Sequence, residues 1–594
     1  MKRTHAILSI LSCICATAAS AQNLSGIVVD ASGAPLPGVR VRAARVASGQ
    51  SPVVSNDYIT TGEDGAFSIP SPSRPGEYVY ISFGKNRYEI VSGMVDGSAG
   101  VNLGRIRLTP VTPIDNPNHD WVPPYFPVDD TSRMGCNFCH GEQYRAWKDS
   151  LMAISASPEN TWVRSLYEST QGPSYRTENP DKAGPCANCH APAAAIDAPS
   201  ETVLSEVSGV AENGVFCAVC HSIREIRDVQ KPGVDGSLVL IRPSAWTALF
   251  AYGPYDDAAS QPMTTSYNPL IKEARLCAGC HEWTNDLGVQ VLSTFTEWSE
   301  MAGADPDALV CQDCHMRKRI GSYTPPDPTL GYILDNEHMA GMYANLRRRD
   351  TMSPHVFRGG RELAEEAAEL SVGMRQEDRE LVITTTVSNT NAGHALPTGM
   401  PFRHVLMQVE VKLGGQFLTQ TGGPTIPDYG GEGTSERDLA GKPGKGYAKV
   451  VGDGLGARNV PFWRASEVLE DTRIRAGESE VLEFRFALPK SGGPVEARVS
   501  LIYRRAFLEL VRQKGWMMDD LVIGNERIEA TVPPAPVDDE PEPVPEPEPT
   551  VTLDTSNSGC SCDTGRQSAA PALLLAFGGL LLGRTRGRRA RRRR

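Results

Sequence analysis

Hydrophobic and polar residues alternate in two separate parts of the chain. Alternation with a period of two is typical of a strand that has one buried and one exposed face. The segments with strand patterns or strand-entering turns are Ser25–Asp30, Val39–Val41 and Thr61–Ile69 near the N-terminus, and Leu381–Val387, Val405–Val411, Val481–Leu488 and Val495–Tyr503 further on. We therefore predict a small β-sandwich over residues 22–112 and a second β-rich domain over residues 365–532.

The region between these two domains, residues 113–364, is predicted to be loop-rich and mainly α-helical. The chain contains 56 Gly and 45 Pro, whereas aromatic residues make up only 7%. Gly and Pro favour loops. Because aromatic residues are few, the burial of side chains offsets little of the entropy cost of ordering such a chain. In a multidomain protein of 594 residues, this composition favours a prosthetic group inside the middle domain.

Residues 1–21 have the composition of a signal peptide. Lys2 and Arg3 precede an apolar run, Ala6–Cys15, and the segment ends in the small residues Ala19–Ala21. A basic start, an apolar centre and a small-residue end are the features of a secretory signal. We therefore predict that the mature protein is exported, with a buried first helix as the alternative.

The other end of the chain has a spacer and an anchor-like segment. Residues 533–558 are rich in Pro, Glu and Asp, which favours an extended spacer because Pro restricts the backbone and like charges repel. Residues 559–594 contain a sixteen-residue apolar run, Ser568–Gly583, followed by eight arginines. Arginines beyond a spanning segment favour the cytoplasmic side of a membrane, so the body of the protein is predicted to lie outside.

The net charge argues against a nucleic-acid partner. The formal charge of the whole chain is −12, but two positive charges lie in residues 1–21 and a net eight lie in residues 560–594, so residues 22–559 carry −22. Proteins bind phosphate polyanions mainly through Lys and Arg. We therefore predict that this protein binds no nucleic acid.

Ten of the fourteen cysteines belong to five copies of the motif C-x-x-C-H. Chance predicts only about 0.006 copies in a chain with this content of Cys and His. In chain order, motifs 1 to 5 supply Cys136, Cys139 and His140; Cys186, Cys189 and His190; Cys217, Cys220 and His221; Cys277, Cys280 and His281; and Cys311, Cys314 and His315. The repetition indicates one chemical purpose for all five.

The chemistry of haem attachment explains this motif. Two thiols one helical turn apart can bond to the two vinyl groups of a haem, and the adjacent histidine reaches the iron. Structural zinc and disulfide bonds are alternatives for paired cysteines, but neither requires a histidine directly after each pair. We therefore predict five covalently attached haem c groups, each with its iron bound by the histidine of its motif.

The spacing of the motifs predicts that the haems are close neighbours. Residues 136–315 provide 36 residues per motif, and the stretches between motifs contain 45, 26, 55 and 29 residues. These stretches are too short to build five independent haem domains. Electron exchange between adjacent haems is the expected consequence.

The second axial ligand of each iron decides what the haem can do. An iron with two protein ligands suits electron transfer, whereas an open position can bind a substrate. Outside the signal peptide and the motifs, the histidines are His119, His338, His355, His394 and His404. His355 and His394 lie in loops with Gly and Pro, where the backbone can turn and approach a neighbour closely. Our candidate distal ligands among the histidines are His338, His355 and His394.

These features together resemble multihaem cytochromes of the group that includes cytochromes c-552 and c-554 and hydroxylamine oxidoreductase. The resemblance covers about residues 130–410 and includes the segments Trp147–Met152, Ser353–Gly360 and Asn391–Gly399. It implies that His355 and His394 are distal ligands. Relatives commonly have a histidine where this chain has Met152, which implies one haem with His/Met ligation and a raised potential. Packing of Met152 in a helix core is the alternative.

Two shorter resemblances concern the ends of the protein. Residues 22–112 are similar to carboxypeptidase regulatory-like modules, which implies a role in interaction or spacing. The segment Gly559–Cys562, with the apolar run and arginine tail that follow it, resembles the C-terminal sorting signal of myxobacterial surface proteins. That resemblance implies a lipid-anchored protein at the cell surface or outer membrane. A tail anchor in the inner membrane is the alternative.

We therefore expect a pentahaem c-type cytochrome that relays electrons at the cell surface or the periplasmic face. Its partners would be redox proteins or extracellular electron donors and acceptors, with a membrane attachment through the C-terminal anchor. The alternative is a multihaem oxidoreductase that acts on a small nitrogen or sulfur species at an open haem. A third hypothesis is a surface-binding protein whose β domains carry the function.

Overall fold

The computed structural model describes both β-rich regions and all five motifs. It covers residues 23–46, 51–54, 57–72, 77–97, 100–126, 134–243, 249–258, 263–316, 332–335, 345–348 and 351–534. The predicted signal peptide, His338, nearly all of the predicted spacer and the anchor-like segment lie outside these residues. The described residues belong to one unit of the chain, which ends at Ala535.

In the N-terminal region, two sheets pack against each other. The strands are β1 (Asn23–Val29), β2 (Arg40–Val46), β3 (Ile59–Thr60), β4 (Ala66–Pro70), β5 (Tyr78–Gly84), β6 (Val91–Asp96) and β7 (Val101–Arg107). One sheet has the order β4-β1-β7 and the other β3-β2-β5-β6. Leu24 and Phe67 of the first sheet share a core with Val41 and Phe83 of the second, and the Phe67 and Phe83 ring centroids are 5.2 Å apart. The predicted β-rich N-terminal region is confirmed.

The middle region consists of short helices, turns and two-stranded ribbons. Its helices are α1 (Gly141–Trp147), α2 (Thr161–Glu168), α3 (Tyr175–Glu178), α4 (Cys186–His190), α5 (Pro192–Ala195), α6 (Cys217–Cys220), α7 (Arg275–His281), α8 (Thr294–Ala302) and α9 (Cys311–His315). The 3-10 helices are Cys136–Phe138, Leu204–Glu206, Gly209–Asn213 and Pro269–Lys272. The ribbons pair β8 (Ile223–Ile226) with β9 (Leu238–Leu240), β10 (Phe250–Gly253) with β11 (Thr264–Tyr267), β12 (Trp283–Thr284) with β13 (Gln290–Leu292), and β14 (Tyr332–Leu334) with β15 (Leu346–Arg348).

The helices of the middle region are short, as expected for a loop-rich segment. The longest of the nine, α8, has nine residues. Turns and bends separate the helices, so each motif has its own short helical element. None of the helices in the stretches described above has both the length and the apolar character to cross a bilayer.

The C-terminal region consists of two larger sheets. Helix α10 (Gly360–Ala367) leads into β16 (Glu369–Glu377), β17 (Glu380–Ser388), β18 (His404–Leu413), β19 (Gln416–Phe417), β20 (Gln420–Gly422), β21 (Gly444–Gly452), β22 (Glu467–Asp471), β23 (Ser479–Ala487), β24 (Gly493–Arg504), α11 (Leu508–Lys514) and β25 (Leu521–Val532), with a 3-10 helix at Asp428–Gly430. The sheets have the orders β16-β17-β23-β20 and β22-β21-β18-β24-β25, and β19 pairs with β18. Ile383 and Phe484 of the first sheet and Met407 and Leu501 of the second are buried in one core. The second predicted β-rich region is confirmed.

A buried ionic contact joins the N-terminal region to the middle region. Asp256, whose side chain is 3% exposed, binds Arg40 and Arg42 of β2 at 3.2 and 2.5 Å. The next residue, Asp257, is equally buried and binds Arg347 at 2.6 Å. Because a buried charge without a partner is strongly destabilising, the two pairs of Asp256 fix the N-terminal sheets on the middle region.

The C-terminal region packs on the middle region through aromatic rings. Trp162 of α2 stacks on Trp516, with ring centroids 3.8 Å apart. Nearby, the Lys514 ammonium group donates a hydrogen bond to the carbonyl of Ser165 at 2.7 Å. The C-terminal sheets therefore lie beside the helices that carry the motifs, in a position to supply residues to them.

Candidate haem-binding sites

Each of the five C-x-x-C-H motifs lies on a helical turn. Cys136 begins a 3-10 helix, and the cysteines of motifs 2 to 5 lie in α4, α6, α7 and α9. In motif 3, the amide of His221 donates a hydrogen bond to the carbonyl of Cys217 at 3.0 Å. Side chains three residues apart share one face of a helix, so both cysteines of a motif project from the same side. All ten cysteines are half-buried, and haem attachment requires them as thiols.

Cysteines from different motifs lie next to each other. The pairs are Cys136 with Cys217, Cys189 with Cys280, and Cys277 with Cys311. One thiol of each pair, that of Cys136, Cys280 or Cys277, has a raised pKa. The largest cause is the interaction with the partner thiol, and burial is the second. Burial also raises the pKa of Cys220 to about 12, and Cys280 is the next cause. Motif 4 therefore adjoins motifs 2, 3 and 5, and motif 1 adjoins motif 3.

Two motif histidines face the histidines predicted as distal ligands. The ring centroid of His221 in motif 3 lies 6.3 Å from that of His355, with 23° between the ring planes. The ring of His315 in motif 5 lies 6.3 Å from that of His394, with 21° between the planes. If both rings bound one iron, their centroids would be about 6 Å apart. Each metal–nitrogen bond is ~2 Å long, and each nitrogen is ~1 Å from its ring centroid. Each pair therefore has the spacing to hold one iron between its rings.

Hydrogen bonds from Nδ1 orient these four rings. The distances from Nδ1 to a backbone carbonyl oxygen are 2.7 Å for His221 to Tyr252, 2.8 Å for His315 to Arg358, and 3.1 Å for both His355 to Ser353 and His394 to Ala395. A carbonyl oxygen can only accept, so Nδ1 carries the proton and Nε2 keeps its lone pair. This arrangement fixes the ring orientation of metal-binding histidines, and it leaves Nε2 available to iron.

Burial favours the neutral form of His221, His355 and His394. Burial, followed by the neighbouring His221 and His140, lowers the pKa of His355 to about 4. Burial also lowers the pKa of His221 and of His394. The neutral imidazole is the form that ligates a metal, so these three rings are ready to bind iron at neutral pH.

Motifs 2 and 4 have different surroundings. Within the segments that the structure covers, no second imidazole lies at this separation from His190 or His281. Burial lowers the pKa of His281 to about 4, and His315, Arg403 and His190 are the further causes. Among the residues that the structure describes, the surroundings of these two motifs therefore differ from those of motifs 3 and 5.

Met152 lies in a half-buried turn close to motif 2. Its carbonyl accepts a hydrogen bond from the amide of Ser155 at 3.2 Å. The hydroxyl of Ser155 in turn donates to the carbonyl of His190 at 2.8 Å. Met152 thus lies near one of the motifs, and its role as a ligand stays a prediction.

Two histidines outside the candidate set occupy other places. His404 is fully buried in the C-terminal region, where its ring centroid lies 5.6 Å from that of Tyr429 and 5.1 Å from that of Phe507. The Nδ1 atom of His119 lies 3.1 Å from the carbonyl oxygen of Pro243, and its ring packs edge-on against Trp121. The aromatic contacts of His404 explain its position as a core residue.

The loop that carries His394 is held by Glu297 of α8. One carboxylate oxygen accepts hydrogen bonds from the Ala395 amide at 3.2 Å and from the Thr398 hydroxyl at 2.6 Å. The other oxygen forms an ion pair with Arg473 at 2.6 Å. Both side chains are nearly buried, with Glu297 12% and Arg473 7% exposed. No sequence motif marks this role of Glu297, because Ala395, Thr398 and Arg473 lie 98 to 176 residues further along the chain.

The comparisons with known families agree with this geometry. Residues 135–222, which contain motifs 1 to 3, match the family of cytochrome c554 and c-prime. The match supports a multihaem c-type cytochrome. In such a cytochrome, haem iron with two axial ligands accepts and releases electrons, and this chain contributes the cysteines, the oriented imidazoles and their buried surroundings.

Solved structures show partial similarity to this chain. A penta-haem cytochrome c552 from Thermochromatium tepidum is 20% identical, with 66% of this chain and 97% of that chain covered and a TM-score of 0.47. A 3-chlorocatechol 1,2-dioxygenase from Rhodococcus opacus 1CP is 18% identical over 15% of this chain and 59% of that chain, with a TM-score of 0.11. A 9R-lipoxygenase from Cyanothece PCC8801 is 14% identical over 32% and 28% of the two chains, with a TM-score of 0.14. No curated protein shows significant sequence similarity to this chain.

Proposed function

We propose that this protein is a pentahaem c-type cytochrome that relays electrons at the cell surface or the periplasmic face. The observation that carries the proposal is the pairing of His221 with His355 and of His315 with His394, each at 6.3 Å. Two imidazole ligands leave no open position at an iron, which suits electron transfer better than substrate binding. Each motif would hold one haem through its two cysteines and its histidine.

The contacts between motifs support a relay with a branch. Motif 1 adjoins motif 3, motif 3 adjoins motif 4, and motif 4 adjoins motifs 2 and 5 through their cysteines. Haems attached at adjoining cysteines would be near neighbours, so no haem would be isolated from the others. We propose that the haem of motif 4 connects those of motifs 2, 3 and 5.

The proposed location rests on the two ends of the chain. The signal-like residues 1–21 support export, and residues 559–594 support an anchor at the cell surface or in a membrane. The Pro- and Glu-rich residues 533–558 would hold the cytochrome away from that surface. Redox proteins or extracellular electron donors and acceptors are the proposed partners.

The haem count tests this proposal directly. We expect the protein, produced in a host that matures c-type cytochromes, to contain five haems by pyridine haemochrome assay and by intact mass. The double substitution C311S/C314S should reduce the count to four, because it removes both thiols of motif 5. A wild-type protein with fewer than five haems, or a variant that keeps the wild-type count, would contradict the proposal.

Replacement of Glu297 by glutamine should release the distal ligand of motif 5. E297Q removes the charge that pairs with buried Arg473 and weakens the hydrogen bonds to Ala395 and Thr398. We expect a stability loss of about 2 kcal/mol. We also expect part of one haem to change from low spin to high spin as His394 detaches, which electron paramagnetic resonance measures.

E300Q is the matched control on the same helix. Glu300 is 63% exposed and its nearest cation, Arg475, is 4.0 Å away. An exposed pair of this kind contributes about 0 to 1 kcal/mol, so E300Q should keep the wild-type spectrum. The aspartate variant E297D should restore part of the low-spin signal. If E297Q has the wild-type spin state, Glu297 does not position His394.

The second candidate function is an oxidoreductase with an open haem. It is favoured by the surroundings of His190 and His281, which have no facing imidazole among the residues described. An open iron would give a high-spin signal that shifts when nitrite, hydroxylamine or cyanide is added. If all five haems are low-spin and do not respond to these molecules, this candidate is excluded.

A further inference from the structure

Two arginines lie side by side where the β18–β24 strand pair ends. The ladder pairs His404 with Arg504, so the register brings Arg403 and Arg505 opposite each other at the next position. Like charges in directly opposite positions are destabilising. The arrangement therefore needs a compensating negative charge.

No carboxylate of the described segments supplies that charge. Neither guanidinium group of Arg403 or Arg505 forms an ion pair or a side-chain hydrogen bond in those segments. In contrast, the buried Arg504 binds Asp520 at 2.7 Å, and Arg473 binds Glu297 at 2.6 Å. Each guanidinium has five N–H donors, so the hydrogen-bonding capacity of both groups is left unused here.

Neighbouring residues hold the two guanidinium groups in place. Arg505 lies over the ring of Trp162, with its central carbon 4.6 Å from the ring centroid. Burial lowers the pKa of Arg505, and Arg403 is the next cause, so the two positive charges act on each other. A Cβ atom on Gly399 would lie 2.7 Å from Arg403 Nη1, so the guanidinium packs directly on that glycine.

The arginine pair belongs to the same loop region as the proposed haem site of motif 5. Gly399, on which Arg403 packs, is five residues after His394 in the same loop. Positive charge is thus placed next to the His394 loop, in a body whose net charge is −22.

We infer that Arg403 and Arg505 together bind an oxyanion beside the haem of motif 5. Planar guanidinium groups bind carboxylates and other oxyanions through paired N–H bonds. The oxyanion has two sources with the same chemistry, a propionate of a bound haem or a small anion from solution. The inference rests on the proposed function, because that function places a haem at this motif.

The test compares R403Q, R505Q and the double variant with the wild-type protein. R527Q is the matched control, because Arg527 is an exposed arginine of β25 that pairs with Glu496 at 3.1 Å. Haem content is measured first, and a count below five then contradicts the proposed function independently of this inference. Reduction potentials are next measured by spectroelectrochemistry in chloride and in sulfate at equal ionic strength.

We expect the variants to lower the potential of at least one haem, because a nearby positive charge stabilises the reduced state. The reduction equilibrium constant should fall by on the order of tenfold, and R527Q should leave it unchanged. A decrease that is the same in both salts identifies a propionate if the variants R403K and R505K show part of it, because lysine keeps the positive charge and lacks the paired N–H donors. If the lysine variants keep the wild-type potential, the charge acts alone and the inference is overturned. A wild-type potential that depends on sulfate, with no such dependence in the double variant, identifies a solution anion.

The inference is overturned if both single variants keep the wild-type potentials in both salts. Each single variant retains one guanidinium group and relieves the repulsion between the two. The single variants therefore remain informative even if the double variant does not fold. Far-ultraviolet circular dichroism of each variant confirms that the comparison is made on folded protein.

Discussion

Replacing His394 with alanine should convert one haem of the protein from low spin to high spin. The ring of His394 is 6.3 Å from that of His315, and its Nδ1 is held by the carbonyl of Ala395, so only Nε2 is available to the iron. Without this imidazole, the iron of motif 5 keeps a single protein ligand and gains an open position. The same change is expected at motif 3 when His355 is replaced.

Electron paramagnetic resonance and cyanide binding measure this effect. H394A and H355A should each give one high-spin haem that binds cyanide, and the double variant should give two. H404Q is the control, because His404 is a buried histidine whose neighbours are Tyr429 and Phe507. It should lose stability and keep the wild-type haem spectrum. If H394A remains fully low-spin, His394 is not a ligand.

Loss of the Asp257 charge should destabilise the protein by about 3 kcal/mol. The Asp257 and Arg347 side chains are 3% and 4% exposed and are 2.6 Å apart. In D257N, Arg347 keeps only its ion pair with Asp335, at 2.7 Å, and one of its two counter-charges is gone. The contact lies next to Asp256, so the N-terminal sheets should become easier to detach.

Urea unfolding measures the change in stability, and limited proteolysis measures detachment of the N-terminal sheets. E225Q is the control, because Glu225 forms exposed ion pairs with Arg87 and Arg227, both at 2.9 Å. Exposed pairs of this kind contribute about 0 to 1 kcal/mol. A D257N variant as stable as E225Q would show that the buried contact contributes little.

The local features of this protein could be predicted because they depend on short segments. The C-x-x-C-H motifs identify the proposed haem attachment points, since the chemistry needs two thiols and a histidine within one turn. The strands of the C-terminal region follow from alternation, and Leu381–Val387 lies within β17. His355 and His394 were candidates because of their loops, and the structure brings both of them opposite a motif histidine.

Contacts between distant segments could not be predicted in this way. Glu297 and Arg473 are 176 residues apart in the chain, and Arg42 and Asp256 are 214 residues apart. Arg403 and Arg505 become neighbours only through the register of β18 and β24. Each of these residues resembles an ordinary surface charge in the sequence, and only the tertiary fold gives it a specific partner.

The order of these elements along the chain has a consequence for biosynthesis. The five C-x-x-C-H motifs precede His355 and His394 in the chain, and β18 and the strands that follow it come later still. If the exported chain crosses the membrane from its N-terminus, a haem joined to Cys311 and Cys314 would wait for its second imidazole until some eighty further residues have crossed. Covalent attachment can therefore precede completion of the fold, and the thioether bonds would retain the cofactor during that interval.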